Sequence, residues 1–212
     1  MKVLIISDIH GNLPALEYVL TAEKDADLVV SLGDVVNYGP WSNECVDLLE
    51  TLPNKILIKG NHEDAFISGI YPGENLVVKS FFNFCYPKFD RKSQIENYLK
   101  NWEMNNFFFT HTLNNEYIFS DTEITINANT FIGHSHSMFI KENMGYTLVN
   151  VGSVGQNRKN INQINYVVWD SETNKIDLIS KEFNAVKLFN EMRIKGYPEI
   201  CMNYLLSKQI KV

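Results

Sequence analysis

Three short apolar runs in the first sixty residues each end in a polar motif, and they limit the chain to a few folds. The runs are 2–7 (KVLIIS), 28–32 (LVVSL) and 55–59 (KILIK). Nearly continuous Val, Ile and Leu is typical of strands that are buried on both faces. The segments between the runs carry helical patterns, one after Asn12 and one from about Ser42 to Leu52. This alternation predicts a parallel α/β sheet.

Chemically active side chains follow each of these predicted strands. The first strand leads into Ser7-Asp8-Ile9-His10, the second into Gly33-Asp34 and the third into Gly60-Asn61-His62-Glu63. Ligands bind beyond the carboxyl ends of strands in open α/β sheets. We therefore expect three loops that are distant in sequence to meet at one site.

The rest of the chain changes character twice. Residues 64–104 are rich in aromatic side chains, and we interpret them as a helical insertion of two or three helices beside these loops. Beyond them the pattern predicts short strands, and then a helical tail over about 185–208 that is broken at Gly196-Tyr197-Pro198. The predicted strands are 107–110, 130–133, 137–141, 146–149, 164–169 and 175–180.

The bulk composition is that of a single globular domain over residues 1–212. The apolar fraction is 45% and the charged fraction 21%, both ordinary values for such a domain. A formal charge of −6 argues against broad electrostatic binding to extended nucleic acid or to an anionic membrane. The three cysteines are far apart in sequence, which predicts reduced thiols in packing roles and a cytoplasmic protein.

All five histidines of the chain lie in short motifs, together with two aspartates that follow strands. They are His10, His62, His111, His134 and His136. Asp8 and His10 are two residues apart on what we expect to be an extended loop, so both could turn toward one ion. Asp34 has two carboxylate oxygens and could bridge two ions. Imidazole with carboxylate suits Mn, Fe, Zn, Co or Ni better than Mg or Ca.

In this order the motifs resemble those of the calcineurin-like metallophosphoesterase superfamily. They are Asp8-x-His10, Gly33-Asp34, Gly60-Asn61-His62-Glu63, His111 and Gly133-His134-x-His136. Residues 150–156 (NVGSVGQ) resemble a further segment of the compact bacterial phosphodiesterase branch. The resemblance implies an α/β (α+β) fold in which two mixed β-sheets form a sandwich flanked by helices.

The resemblance also implies a role for each matching residue. One metal ion would be held by Asp8, His10, Asp34 and His136. A second ion would be held by Asp34, Asn61, His111 and His134. His62 would not be a ligand but would act at the leaving group, as a general acid or as a charge stabiliser.

We therefore expect a dinuclear phosphoesterase that uses two divalent ions, foremost Mn, and hydrolyses a small phosphodiester through a metal-bridging hydroxide. A phosphomonoesterase and a dinucleoside polyphosphate hydrolase would use the same metal core. A protein-binding scaffold is the alternative outside the enzymes, since a retromer subunit has this fold. That subunit lacks a histidine corresponding to His62, which ranks the scaffold below the enzyme.

The expected substrate is a small phosphorylated molecule, with nucleotides among the candidates. The loop 35–40 (VVNYGP) has no arginine, whereas protein serine/threonine phosphatases of the superfamily hold phosphate with an arginine there. This argues against a protein phosphatase. Asn37, Tyr38 and Arg158 are the weaker candidates for substrate contact.

Overall fold

In a computed structural model of the chain, residues 1–208 are described, and their ten strands form two five-stranded sheets. The strands are β1 Lys2–Ile6, β2 Leu28–Ser31, β3 Lys55–Leu57, β4 Asn101–Met104, β5 Phe107–Thr110, β6 Asn129–Ile132, β7 Phe139–Asn143, β8 Tyr146–Asn150, β9 Gln163–Asp170 and β10 Lys175–Glu182. The predicted strands of the sequence all fall within two residues of these bounds.

Both sheets are mixed, as the resemblance implied. The first has the order β10-β9-β1-β2-β3, with β1, β2 and β3 parallel and β9 antiparallel to β1. The second has the order β4-β5-β6-β8-β7, with β5, β6 and β8 parallel and an antiparallel strand at each edge. The expected fold class of two mixed sheets flanked by helices is confirmed.

The two sheets pack face to face through an apolar layer. Val3, Ile5 and Val30 of the first sheet are fully buried against the aromatic side chains of the second. Phe109 and Phe131 stack with ring centroids 5.0 Å apart. Burial of each such side chain contributes about 1.5–3 kcal/mol, so this layer fixes one sheet against the other.

Helices cover the outer face of the first sheet, where they form the largest apolar cluster of the described chain. They are α1 Leu13–Ala22, α2 Ser42–Glu50, α3 Asn61–Ser68, α4 Leu76–Cys85, α5 Lys92–Glu96, α6 Val186–Ile194 and α7 Glu199–Leu206, with a short 3₁₀ helix at Tyr86–Lys88. The outer face of the second sheet is covered by the loop 111–128, whose Ile118 and Ile126 pack on Ile132 and Leu148.

The aromatic-rich segment departs from the prediction at both ends. Helix α3 begins at Asn61, so His62 lies in a helical first turn. The last four residues of the segment form β4, and the expectation of helix there is wrong. Asn105 and Asn106 adopt positive φ (48° and 65°) in a two-residue turn, the geometry that favours a tight hairpin with β5.

Three further features of residues 1–208 concern the cysteines, the helices and the tail. All three cysteines are buried as free thiols, so each has a packing environment. Among the helices formed by residues 1–208, none combines the length and the apolar character that crossing a bilayer requires. In the tail, Gly196 with a φ of 72° and the following Pro198 separate α6 from α7.

Candidate metal centre

Five strand ends bring the predicted ligands to one edge of the sandwich. The contributing loops follow β1, β2, β3, β5 and β6, and their side chains are Asp8, His10, Asp34, Asn61, His62, His111, His134 and His136. The two aspartates and the five histidines are all buried, whereas Asn61 is exposed. Burial of so many polar side chains requires a partner for each of them.

The first group of ligand atoms comes from the β1 and β6 loops. The Nε2 atoms of His10 and His136 are 3.2 Å apart. Asp8 Oδ1 lies 3.1 Å from His136 Nε2 and 3.7 Å from His10 Nε2. One ion placed among these atoms would have two nitrogen ligands and one oxygen ligand.

The second group surrounds the imidazole of His111. Its Nε2 lies 3.1 Å from Asn61 Oδ1, 3.1 Å from His134 Nδ1 and 3.3 Å from Asp34 Oδ2. The same Asp34 Oδ2 lies 3.9 Å from His10 Nε2, which belongs to the first group. Asp34 therefore stands between the two groups, where a bridging carboxylate would be needed.

Backbone carbonyls fix which nitrogen of three histidines faces inward. The Nδ1 atoms of His10, His111 and His136 donate over 3.2, 2.9 and 2.5 Å to the carbonyl oxygens of Val36, Leu32 and Gln156. An imidazole that donates from Nδ1 carries a lone pair on Nε2 when it is neutral. All three lone pairs therefore point at one another or at carboxylate and amide oxygens, which a cation would satisfy.

Each aspartate has one oxygen held by the backbone and one directed into this cluster. The His134 N–H donates to Asp8 Oδ2 over 2.9 Å, and the His62 N–H donates to Asp34 Oδ1 over 2.9 Å. Asp8 Oδ1 is buried and has no hydrogen-bond donor. A buried carboxylate oxygen without a donor is the expected state of a metal ligand, so these residues fit a pair of divalent cations.

The electrostatics of the cluster favour a cation as well. Burial lowers the pKa of His10 well below its usual value, so this imidazole is neutral. Burial also opposes the charge on Asp34, but the neighbouring His111 and His62 hold the pKa of its carboxyl well below the usual range. Burial lowers the pKa of His111, but Asp34 outweighs this effect and raises that pKa to about 9. Two ionised carboxylates thus face mostly neutral imidazoles.

The backbone at the centre is left-handed at most of the ligand positions. Asp8, His10, Asp34, His134 and His136 have φ of 54°, 49°, 55°, 66° and 57°. The expected extended conformation for the loop between Asp8 and His10 is wrong, because both residues turn through positive φ. Such conformations are unfavourable for residues other than glycine and cluster at functional sites.

Two glycines of the motifs are required by close approach. A Cβ on Gly60 would stand 2.1 Å from Asp34 Oδ1, and a Cβ on Gly133 would stand 2.7 Å from Asp8 Oδ2. Any side chain at either position would displace a carboxylate of the cluster. The glycine before Asn61 and the glycine before His134 therefore have the same function at two different loops.

Glu63 is a buried residue to which the sequence analysis gave no role. Its carboxylate accepts hydrogen bonds over 2.7–3.2 Å from four backbone N–H groups, those of Asp34, Val35, Val36 and Gly60. Burial and the nearby Asp34 raise the pKa of Glu63 to about 7. Glu63 ties the loop of Asp34 to the first turn of α3. The glutamate at the third helical position is the sequence signal for part of this arrangement.

His62 lies beside the cluster with Nε2 toward it, and its Nδ1 is hydrogen-bonded to Asn37. Its Nε2 is 3.9 Å from Asp34 Oδ2, and its Nδ1 accepts from the Asn37 amide over 3.0 Å. Asn37 is fully buried and lies behind His62. The buried Tyr38 has its ring 4.7 Å from that of His10 and 5.3 Å from that of His62. Of these two candidates for substrate contact, Asn37 contacts His62 and Tyr38 packs on the site.

Arg158 is half-buried at the rim of the centre. Its Nη2 lies 3.5 Å from the carbonyl oxygen of His134, and its guanidinium lies 4.9 Å from the ring centroid of Tyr117. Tyr117 in turn stacks on the His134 ring at 4.1 Å. Tyr117 could not be singled out from the sequence, because nothing in the local pattern of the loop 111–128 links it to His134.

Comparison with known proteins agrees with this geometry. The family model described as calcineurin-like phosphoesterase matches residues 1–195. The protein MJ0912 of Methanocaldococcus jannaschii is 29% identical, and the match covers 93% of this chain and 94% of the length of MJ0912. A metallophosphoesterase from Sphaerobacter thermophilus superposes with a TM-score of 0.78 at 24% identity, covering 98% of this chain and 99% of its own.

Phosphodiesterase YfcE of Escherichia coli matches more locally in sequence. It is 55% identical over 42 residues, which are 19% of this chain and 23% of YfcE. Its structure superposes with a TM-score of 0.53 at 22% identity, over 87% of this chain and 100% of its own. The similarity in fold therefore extends over most of both chains, while the high identity is confined to a short segment.

Proposed function

The chain belongs to the calcineurin-like phosphoesterase family, and on that premise we propose that it is a dinuclear metal-dependent phosphoesterase whose substrate is a small phosphodiester. The observation that carries the proposal is that hydrogen-bond acceptors of several histidines and of two aspartates point at one another. In the neutral tautomers that the backbone carbonyls favour, three imidazole Nε2 atoms converge with one inward oxygen of each buried aspartate, and Asp8 Oδ1 has no donor. Divalent cations would satisfy this set of nitrogen and oxygen acceptors and would displace the proton that Asp34 retains on His111.

The ligand set divides into two groups that share one carboxylate. Asp8, His10 and His136 would hold one ion, and Asn61, His111 and His134 the other, with Asp34 as a ligand to both. Divalent ions bound in this way activate water and neutralise charge on phosphoryl oxygens. Mixed imidazole and carboxylate ligands favour Mn, Fe, Zn, Co or Ni, of which we propose Mn.

His62 would donate a proton to the departing oxygen. As a proton donor the ring would be imidazolium, with Nδ1 on the Asn37 side chain and Nε2–H directed toward the cluster. Burial lowers the pKa of His62, which favours transfer of the Nε2 proton from the imidazolium form. A positioned proton donor contributes about 10²–10⁴-fold in rate. Asn37 would act as a positioning residue that holds this ring.

Support for a diester comes from similarity alone. YfcE is named a phosphodiesterase, and its local identity to this chain is 55% over 42 residues.

The test is an assay with bis-p-nitrophenyl phosphate and p-nitrophenyl phosphate, on protein stripped with a chelator and reloaded with Mn²⁺. We expect turnover only after reloading, with the diester preferred. Preference for the monoester would overturn the diester assignment. Absence of turnover of both compounds by protein with two bound ions would overturn the enzyme itself.

A variant separates catalysis from metal binding. His62→Ala should lose about 10²-fold or more in kcat while keeping both ions, because each ion would retain all of its proposed ligands. Metal content by elemental analysis is the control. Loss of an ion from His62→Ala would show that this histidine is a ligand, contrary to the proposal.

A further inference from the structure

An unpaired cation lies beside the proposed metal centre. Arg158 is half-buried, and no carboxylate of residues 1–208 forms an ion pair with its guanidinium, whereas Arg91 pairs with Asp47 and Asp90. The Nε–H of Arg158 is shielded from solvent and has no acceptor. A buried donor on a charged group without an acceptor is unfavourable, and it indicates a site for an anion that completes it.

The guanidinium is held in place by aromatic packing. It lies 4.9 Å from the centroid of Tyr117, which stacks on His134 with the two ring planes 19° apart. This stack couples the position of Arg158 to a proposed metal ligand. Arginine presents a planar set of donors that matches the oxygens of a phosphoryl group, so a phosphoryl group is the anion that fits best.

The position of Arg158 determines which phosphoryl group it would meet. Its contact to His134 is with the carbonyl oxygen, at 3.5 Å, and not with the ring nitrogen that faces His111. Its guanidinium makes no ion pair with Asp8 or Asp34, so it stands outside the ligand cluster. An anion on Arg158 would therefore lie next to the phosphoryl group that is hydrolysed.

The geometry points to Arg158 as the binding site for a second phosphoryl group of the substrate, which gives the enzyme a preference for phosphoesters that carry a diphosphate or longer chain. This inference rests on the proposed function and narrows its substrate class. Tyr117, about half exposed at 51%, would form the wall beside that group and hold the guanidinium against it.

Two chromogenic esters that differ by one phosphoryl group test the inference. The p-nitrophenyl esters of AMP and of ADP release the same phenol when water attacks the phosphorus that carries it and the bond to the phenolic oxygen breaks. For the wild type with Mn²⁺ we expect a higher kcat/KM on the ADP ester. Arg158→Met should lower the ratio of the two kcat/KM values about 10- to 100-fold, the effect of losing a hydrogen bond to a charged group.

Inhibition by simple anions separates the phosphoryl group from the nucleoside. Pyrophosphate should compete better than phosphate against wild-type protein, and Arg158→Met should remove that difference. Arg193→Met is the matched control, because it removes the same charge from an exposed position on α6. Arg158→Lys keeps the charge without the planar donor set and should retain part of the preference. If Arg158→Met is too unstable to assay, the two kcat/KM values of Arg158→Lys provide the test instead.

The outcomes are distinct for the two proposals. Equal loss on both esters, no loss on either, or a wild type without preference for the ADP ester would overturn the role of Arg158 and leave the phosphoesterase standing. No hydrolysis of either ester by protein with two bound ions would overturn the proposed function, and the role of Arg158 with it.

Discussion

Replacement of Glu63 by glutamine tests whether one carboxylate holds the metal loops in register. Glutamine has the same shape but replaces one acceptor oxygen by an N–H₂ donor. Each carboxylate oxygen of Glu63 accepts two backbone N–H groups, Oε2 from Asp34 and Gly60 and Oε1 from Val35 and Val36. Either orientation of the new amide therefore leaves two backbone donors facing another donor.

The expected magnitude follows from those two lost bonds. A buried N–H without an acceptor costs about 1–3 kcal/mol, so Glu63→Gln should destabilise the protein by about 2–6 kcal/mol. For a domain of this size each kcal/mol lowers Tm by about 2–4 °C, which predicts a fall of about 4–24 °C. Because either orientation removes a hydrogen bond from the segment 34–36 that carries Asp34, Mn²⁺ affinity should fall about 10- to 100-fold, as is usual when support of a ligand is removed.

Thermal melts of chelated and Mn²⁺-loaded protein, with a metal titration by calorimetry, measure both effects. Glu103→Gln is the matched control, since Glu103 is exposed on β4 and should leave Tm and affinity unchanged. A Glu63→Gln protein that melts within about 2 °C of wild type and binds Mn²⁺ equally well would refute the reasoning, because a domain of this size should respond to even one lost bond.

Three further predictions concern the metal ligands and their neighbours. Asp34→Asn should lower the occupancy of both ions in elemental analysis, while Asp121→Asn in an exposed loop should not; two full sites in Asp34→Asn would contradict its shared role. Asn37→Leu should lower kcat about 10-fold and move the acid limb of the pH–rate profile with metal content unchanged, because the His62 ring loses its partner. Burial lowers the pKa of His111, but Asp34 outweighs this effect and raises that pKa to about 9 in the folded protein. Protonated His111 therefore stabilises the metal-free fold fully at any pH below about 6.5, the pKa of the unfolded chain, and this stabilisation is lost as the pH rises to 9. The Tm of chelated protein should therefore fall as the pH rises from about 6.5 to 9, and Mn²⁺ binding at pH 7.5 should release a proton, measurable as a dependence of the calorimetric heat on the buffer.

The positions of the proposed ligands could be predicted because they depend on strand ends. Runs such as 2–7 and 28–32 are so apolar that only a buried strand accommodates them, and the parallel arrangement then brings the residues after them to one edge. The histidines after β5 and β6 follow the same rule. The order of the second sheet, with β8 between β6 and β7, could not be predicted, because periodicity sets the element but not its neighbour.

The supporting residues were missed for a different reason. Glu63 bonds to residues 34–36, and Arg158 packs on Tyr117, so both roles depend on contacts between distant segments. No local spacing encodes such contacts. The strand β4 was missed because its four residues, with Trp102 and Met104 alternating toward the core, are too few to outweigh the helical pattern before them.

The backbone of the centre implies that the metal-free protein is strained. Left-handed conformations at residues other than glycine are unfavourable, by about 1–3 kcal/mol where the residue is not Asn or Asp. His10, His134 and His136 adopt them, and the Nε2 atoms of His10 and His136 face each other at 3.2 Å. Facing lone pairs repel, so the packing of the sandwich holds an arrangement that its own atoms disfavour. Binding of cations would replace that repulsion by attraction, which is why we expect the stability of this fold to depend on its metal.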